Sequence, residues 1–476
     1  MAVLRMKFLD RHDEDLIHDK SIESLQDMGV LVRSESVLRM LDDSGAAVDH
    51  RTKIARIPEA MVKEALDKAP RSFKLCGRDP KNDVELPVDS GFPYITTDGT
   101  TIYMRDLETG NRRDATRADL MEFAKLADAL DPVSIFWPIV TVTDVPELVH
   151  SAHEMWASQQ GCTLNSQGDV LTKEDAQTQI ALASLIAGGM DELRKRPIFS
   201  AIMCPIAPLS FDKGMVEAQV ELAKAGIPVV AMSMSLSGMS SPVTIAGTIV
   251  NVNTENLASL VITQFAQPGA PHIYSSESAP IDMMTGNMNF EAPEILPVSA
   301  AAGQMAKRYG RPCMVSGWGV EPDTPGITKS FCELASVMLG IFCNTDLAVG
   351  IGGFDDAKGC SFEQMVIDSL LWENFRAFLR EFEISEESIA LDVVKQVGHG
   401  NSFLTHPHTA KNFKKELFFW DKKKLGWEAT LSDRMLPEAK ETAKRLLQEH
   451  EVEPLDSEIV RSGNQILKEY EKRVIH

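Results

Sequence analysis

Leu347–Gly359, read LAVGIGGFDDAKG, is the stretch on which the fold assignment turns. It is an apolar run of strand length that breaks into glycines and then presents a phenylalanine and two adjacent aspartates. Seven comparable runs precede it: Tyr94–Thr97, Ile135–Val142, Cys162–Ser166, Ile198–Cys204, Pro228–Ser233, His272–Ser276 and Pro312–Ser316. Each is short, apolar or β-branched, and followed by turn-forming residues, as buried strands are. Between them apolar residues recur at spacings of three and four, predicting helices near 117–130, 147–160, 173–187, 212–225, 249–267, 293–308 and 328–341, with a last one over 361–380. Ser361 followed by Gln364 is a capping-box pattern that places the start of that last helix. Strands alternating with helices imply a parallel sheet. Eight such units make the count of a closed (β/α)8 TIM barrel, whereas an open doubly wound sheet usually stops at about five to seven strands. The expected class is therefore α/β, a TIM barrel with helical extensions at both ends.

The extensions follow from what lies outside this rhythm. Residues 1–90 are expected to form an N-terminal helical cap. Ile17, Ile22, Leu25 and Met28 mark a helix that stops at Gly29, and Pro58 opens another. The barrel is assigned to 91–380. Residues 381–476 return to charged helical sequence ending in an amphipathic helix with Ile459, Ile466, Tyr470 and Val474, expected to pack back on the barrel. Val397–His408 between them is loop-like and concentrates polar groups that helix packing does not need.

Composition sets the broad limits. The 476 residues are 44% hydrophobic and 25% charged, as in a globular protein, and no apolar run approaches the length of about 18 needed to span a membrane. The N-terminal MAVLRMKFLDRHDEDL turns acidic without a signal-peptide core, so a cytoplasmic location is expected. A formal charge of −21 argues against nucleic acid, which needs a basic face, and suits a cationic substrate or a basic docking partner. Seven scattered cysteines (76, 162, 204, 313, 332, 343, 360) show no CxxC spacing and are expected to be reduced, buried thiols. Oligomeric state stays open, self-association included.

In a barrel, chemistry gathers where strands end and loops begin. Three readings of those ends compete. A phosphate loop at Gly350–Gly353 fails electrostatically, because Asp355 and Asp356 would repel an anion and no Walker lysine follows. A metal centre would draw on Asp355, Asp356, Glu277 and the HxH pair His406 and His408, and would suit a metal-dependent lyase or hydrolase. His150, His153 and Glu154 sit at a helix start, where capping or pairing is the ordinary role. The third reading is a pocket for an alkylammonium group, held by aromatic faces and carboxylates. Tyr94, Trp137, Trp318 and Phe354 are aromatics near strand ends, with Glu277, Asp355 and Asp356 among them.

The segments IHDKSIESLQDMGV, IPEAMVKEALDKAP, YITTDGT, VGIGGFDDAKGCSFEQMVID and NSFLTHPHTAKNF together resemble the trimethylamine methyltransferase family over nearly the whole chain. The resemblance implies a (β/α)8 barrel enzyme that moves a methyl group from an amine to the cobalt of a separate corrinoid (cobalamin) protein, with no metal of its own. Founding members carry pyrrolysine in the barrel; this chain holds only the standard twenty residues. That departure implies the non-pyrrolysine branch and a quaternary amine substrate, glycine betaine preferred, with carnitine and proline betaine as rivals and a non-catalytic betaine binder as the other class. Mapped on this sequence, Phe354 and Trp318 would face the trimethylammonium, with Tyr94 or Trp137 completing the cage. Asp355 and Glu277 would be the catalytic carboxylates supplying field. Gly352, Gly353, Asn165, Gln167 and His399 are the candidate donors to a substrate carboxylate. Met239, Met283, Met284 and Met288 would form a deformable apolar rim for a corrin face.

Overall fold

The computed structural model describes residues 7–88, 92–290, 292–316, 345–376, 382–417 and 432–475. Its centre is a closed barrel of eight parallel strands in sequence order. They are β1 (Tyr94–Thr97), β2 (Val133–Phe136), β3 (Asn165–Asp169), β4 (Phe199–Met203), β5 (Val229–Ser233), β6 (His272–Ser276), β7 (Cys313–Ser316) and β8 (Leu347–Ile351). The crossover helices fall close to the predicted segments, Lys173–Ala187 on its expected residues; the helix predicted at 328–341 lies outside the described residues. Among the described residues no helix is long and apolar enough to cross a membrane.

Two strands depart from the predicted bounds for identifiable reasons. β2 ends at Phe136 rather than Val142 because Pro138 has no N–H for the ladder. Thr97 stands in for the missing ladder bonds: its Oγ1 donates to Trp137 O at 2.6 Å and accepts from Trp137 N at 2.8 Å. β3 begins three residues later than predicted. Its inward positions are Asn165, Gln167 and Asp169, so polar residues line the barrel where an apolar run was expected.

The floor of the barrel is plugged. The hairpin Phe73–Leu75/Val84–Leu86 sends Leu75, Val84 and Leu86 into one cluster with Ile135, Ile202, Val230, Ile273, Met314 and Leu347. Ahead of it, the N-terminal residues are more than a helical cap. Val30–Val32, Ala47–Asp49 and Ile54–Arg56 form a sheet that borrows Ser210–Phe211 from the loop after β4. Leu25, Leu38, Leu41 and Met61 pack with Leu257 and Val261 of the barrel helix Ile245–Ala266. At the other end, helix Ser457–Ile475 buries Leu467 and Tyr470, and Trp156 Nε1 donates to Asn464 Oδ1 at 3.0 Å. Gly463 is small because a Cβ there would sit 2.3 Å from the Trp156 ring.

Candidate active site

The working end of the barrel is acidic. Asp98 follows β1, Asp169 closes β3 and Glu277 follows β6, and Glu277 lies close enough to feel the charge of both others. Burial away from water pushes Asp98 up to about 6, Asp169 up to about 7 and Glu277 up to about 8, with neighbouring acids adding to the last two. The Cys204 thiol, after β4, is raised well above its ordinary value by the same burial and by Asp169 and Glu277. None of the inward rim positions Asp98, Trp137, Asp169, Cys204, Met234 and Glu277 is a lysine or arginine.

Asp98 is held firmly. Its N–H donates to Ile351 O at 2.9 Å across the β1–β8 seam, and its Oδ1 accepts from Gly99 N at 2.9 Å. Gly353 leaves it room: a Cβ there would fall 1.7 Å from Asp98 Oδ2. Gly99 does the same for Trp137, whose ring would be 2.0 Å from an added Cβ. Trp137 is buried with the inner barrel cluster, and its Nε1 has no hydrogen-bond partner among the described residues. Behind Asp169, His150 pairs with Glu154 at 3.0 Å, and Glu154 raises the His150 imidazole.

The stretch after β8 serves a different purpose. Gly350 (φ 130°) carries a bulge between Val349 and Ile351, and Gly352 has φ 93°. The bulge turns Ile351 and Phe354 into the outer core with Tyr103 and Met365. Gly353–Phe354 then pairs with Gly359–Cys360 as a hairpin whose turn residues Asp355, Asp356 and Ala357 all have φ near +55°. Tyr103 OH donates to Asp355 at 2.7 Å, and Lys358 lies 3.3 Å from Asp355 and 3.5 Å from Asp356.

The predicted site residues therefore separate. Glu277 stands at the mouth, and Trp137 reaches it from inside. Phe354 is fully buried and edge-on to Tyr103, so its ring is closed to a ligand. Asp355 is neutralised by its own hairpin. Tyr94 starts β1 at the opposite end of the barrel, where its N–H donates to Asp346 O. Asn165 is spent on Cys76 O, Pro197 O and Ser200 Oγ. Gln167 donates to Ser200 Oγ at 3.0 Å, leaving its Oε1 unpartnered. The Gly352 N–H is taken by Asp368 at 2.8 Å, while Gln364 turns from the expected capping box to Asp368. Gly353 contributes space for Asp98. His399 is exposed on the turn after helix Leu391–Val397. Trp318 lies outside the described residues, as do Cys332 and Cys343.

A metal centre gains nothing from the geometry: among the described residues no group of His, Cys, Asp and Glu could hold an ion. His406 caps helix Pro407–Glu416, its Nδ1 accepting from His408 N at 3.1 Å.

Residues 2–473 match the description of the trimethylamine methyltransferase family. The chain belongs to that family. It is 29% identical to the trimethylamine methyltransferase of Desulfitobacterium hafniense, with 96% of this chain and 93% of that one aligned, and 29% identical to that of Methanosarcina barkeri at the same coverage. The glycine betaine methyltransferase of Desulfitobacterium hafniense is 27% identical over 88% of this chain and 85% of its own. The monomethylamine methyltransferase of Methanosarcina barkeri shares the fold, with a TM-score of 0.50 and 13% identity over 92% of this chain and 94% of that one. Asp98 was visible in the sequence as a strand end. Asp169 was hidden by the misplaced start of β3, and its signal was the polar alternation Asn165-x-Gln167-x-Asp169.

Proposed function

We propose that the protein transfers a methyl group from a quaternary amine, glycine betaine first among them, to the cobalt of a corrinoid carried by a separate protein. The observation that carries this reading is the convergence of Asp98, Asp169 and Glu277 at the mouth, with no inward lysine or arginine among the described residues. A fixed positive charge about 5 Å from one such carboxylate gains about 3 kcal/mol at an effective dielectric near 20.

The acids divide the zwitterion between them. Asp98, at about 6, is ionised at neutral pH and faces the ammonium. Glu277, at about 8, keeps its proton and donates it as a hydrogen bond to the betaine carboxylate. Trp137 Nε1, without a hydrogen-bond partner among the described residues, is a second donor at that level. The bound corrinoid supplies a reduced cobalt nucleophile for the methyl carbon. As the C–N bond breaks, its electron pair stays on nitrogen, which becomes the neutral tertiary amine of dimethylglycine while the carboxylate keeps its charge, so no residue has to protonate the nitrogen. The protein orients one methyl toward the mouth and keeps water out, which is catalysis by positioning.

The rim suits a corrin face. Met239, Met283 and Met284 are exposed at 59%, 75% and 95%, and Met288 is half-buried. Their loops adjoin, since Leu236–Ser237 pairs with Ala279–Pro280 above β5 and β6. The test is incubation with Co(I)-cobalamin and a panel of amines, read as methylcobalamin absorbance. Turnover of trimethylamine and of no quaternary amine would sink the substrate assignment. Binding of glycine betaine without any transfer would make the protein a binder instead.

A further inference from the structure

Each acid at the mouth has an inward neighbour one alternation deeper in the barrel. Below Asp98 on β1 it is Thr96, whose Oγ1 donates to Thr97 O at 2.7 Å. Below Asp169 on β3 it is Gln167, and below Glu277 on β6 it is Ser275. Trp137, just past β2, stands opposite Gln167 in the register that sets Asn165 against Ile135. Trp137 belongs to the inner barrel cluster, and Ser275 lies one alternation from Ile273 of the same cluster. All three are buried, and each carries a polar atom with no hydrogen-bond partner among the described residues: Gln167 Oε1, Ser275 Oγ and Trp137 Nε1. A buried polar atom left unmet costs stability, so three of them under the acids point to a group that meets them.

The sense of the Gln167 amide is fixed from below. Asn165 Nδ2 donates to Cys76 O at 3.0 Å and to Pro197 O at 3.1 Å, which uses both its hydrogens and leaves Oδ1 as an acceptor. Ser200 Oγ gives its proton to that Oδ1 at 2.9 Å. It can then only accept from Gln167, so Nε2 faces it at 3.0 Å and Oε1 is turned away. An acceptor from β3 and a donor from the end of β2 are thus presented side by side, unbonded to each other. Gln167 offers an acceptor there, not the donor to a carboxylate that its place in the sequence suggested.

We propose that Gln167 Oε1 and Trp137 Nε1, with Ser275 Oγ, form a subsite for a hydroxyl group carried by the quaternary amine. The subsite rests on the proposed reaction for the direction of the substrate. A methyl offered at the mouth leaves the nitrogen's longest substituent pointing down the barrel, toward these atoms. A carboxylate accepts but cannot donate, and leaves Gln167 Oε1 unmet. A second ammonium donates but cannot accept, and leaves Trp137 Nε1 unmet. A hydroxyl does both. Glycine betaine engages the acids and Trp137 alone; a hydroxylated quaternary amine adds the bond to Gln167.

Calorimetric titration of the full-length protein tests this without any cobalt. The probes are choline and its longer hydroxyalkyl homologues, each paired with the trimethylammonium ion in which a methyl replaces the hydroxyl. At the best chain length the hydroxyl compound is expected to bind at least about tenfold tighter than its methyl partner. Gln167→Met is expected to bring that ratio to within about twofold of unity, and Trp137→Phe to narrow it, with thermal melting to show that both variants fold. Equal affinities within every pair overturn the proposal and leave these atoms to water, as does a ratio that neither substitution moves. The cobalamin assay on the same compounds judges the reaction separately. Hydroxyl selectivity without transfer supports the subsite and sinks the methyl-transfer reading; transfer without selectivity does the reverse.

Discussion

Two acidic regions lie at the same end of the molecule and behave as opposites. Asp355 and Asp356 are adjacent in the chain and lie near Lys358 of the same hairpin, with Tyr103 from the neighbouring strand Tyr103–Arg105 donating to Asp355. Asp98, Asp169 and Glu277 are spread over three strands, and only closure of the barrel gathers them, with no lysine or arginine paired to them among the described residues. Paired acids shape a turn; acids left in a desolvated mouth are, on the proposed reaction, the ones that meet the substrate. Adjacency in sequence marked the structural pair, and fold topology made the candidate functional one.

That contrast can be broken most forcefully at the mouth. Asp98→Asn, which removes the charge facing the ammonium, and Glu277→Leu, which removes the donor to the carboxylate, are each expected to lower kcat/KM for glycine betaine by about 10²–10³, the scale of losing one well-placed polar contact in a reacting site. Asp355→Asn is expected to leave it within about fivefold. Equal losses in the cobalamin assay would erase the distinction. Next comes Gly353→Ala, whose Cβ must displace the Asp98 carboxylate. About a tenfold loss is expected, chiefly as raised KM, whereas the same change at exposed Gly400 should be silent.

Acidity sharpens the same comparison. With Glu277 at about 8, kcat/KM for a betaine should fall as pH rises through that value, while an amine lacking a carboxylate should show no such fall. A shared profile for both substrates would remove Glu277 as the carboxylate donor. Stability should fall with rising pH as well. The folded pKa of Glu277 lies above its unfolded value, so its contribution is complete at acid pH and is lost as pH rises toward 8. Glu277→Gln is therefore expected to stabilise the protein at neutral pH by on the order of 2–3 kcal/mol, seen as a melting temperature a few degrees higher. Asp355→Asn, losing charge on the Tyr103 and Lys358 contacts, should cost about 1 kcal/mol in the same scan.

Much of the architecture was legible because buried strands advertise themselves. β1, β6 and β8 fall on the predicted residues, and β4, β5 and β7 differ by a single residue at one end or at each. What failed did so for stated reasons. A barrel interior with polar layers hides its strand register, which concealed Asp169. A bulge reverses side-chain alternation, so Ile351, which alternation from Val349 would place inward, turns outward after Gly350. An aromatic at the start of a strand is as visible as one at its end, and Tyr94 was taken at the wrong end. Of the candidate site, Glu277 and Trp137 were recognisable as residues, but their company was not.

The floor plug has a consequence for traffic. With Leu75, Val84 and Leu86 filling the lower end of the barrel, the amine's route in and out is the mouth, which on the proposed reaction the corrinoid carrier must also cover. Substrate has to load before the carrier seats, and the demethylated amine is trapped until it lifts. Turnover is then governed by how briefly two proteins stay together, and an excess of carrier should slow the enzyme rather than saturate it.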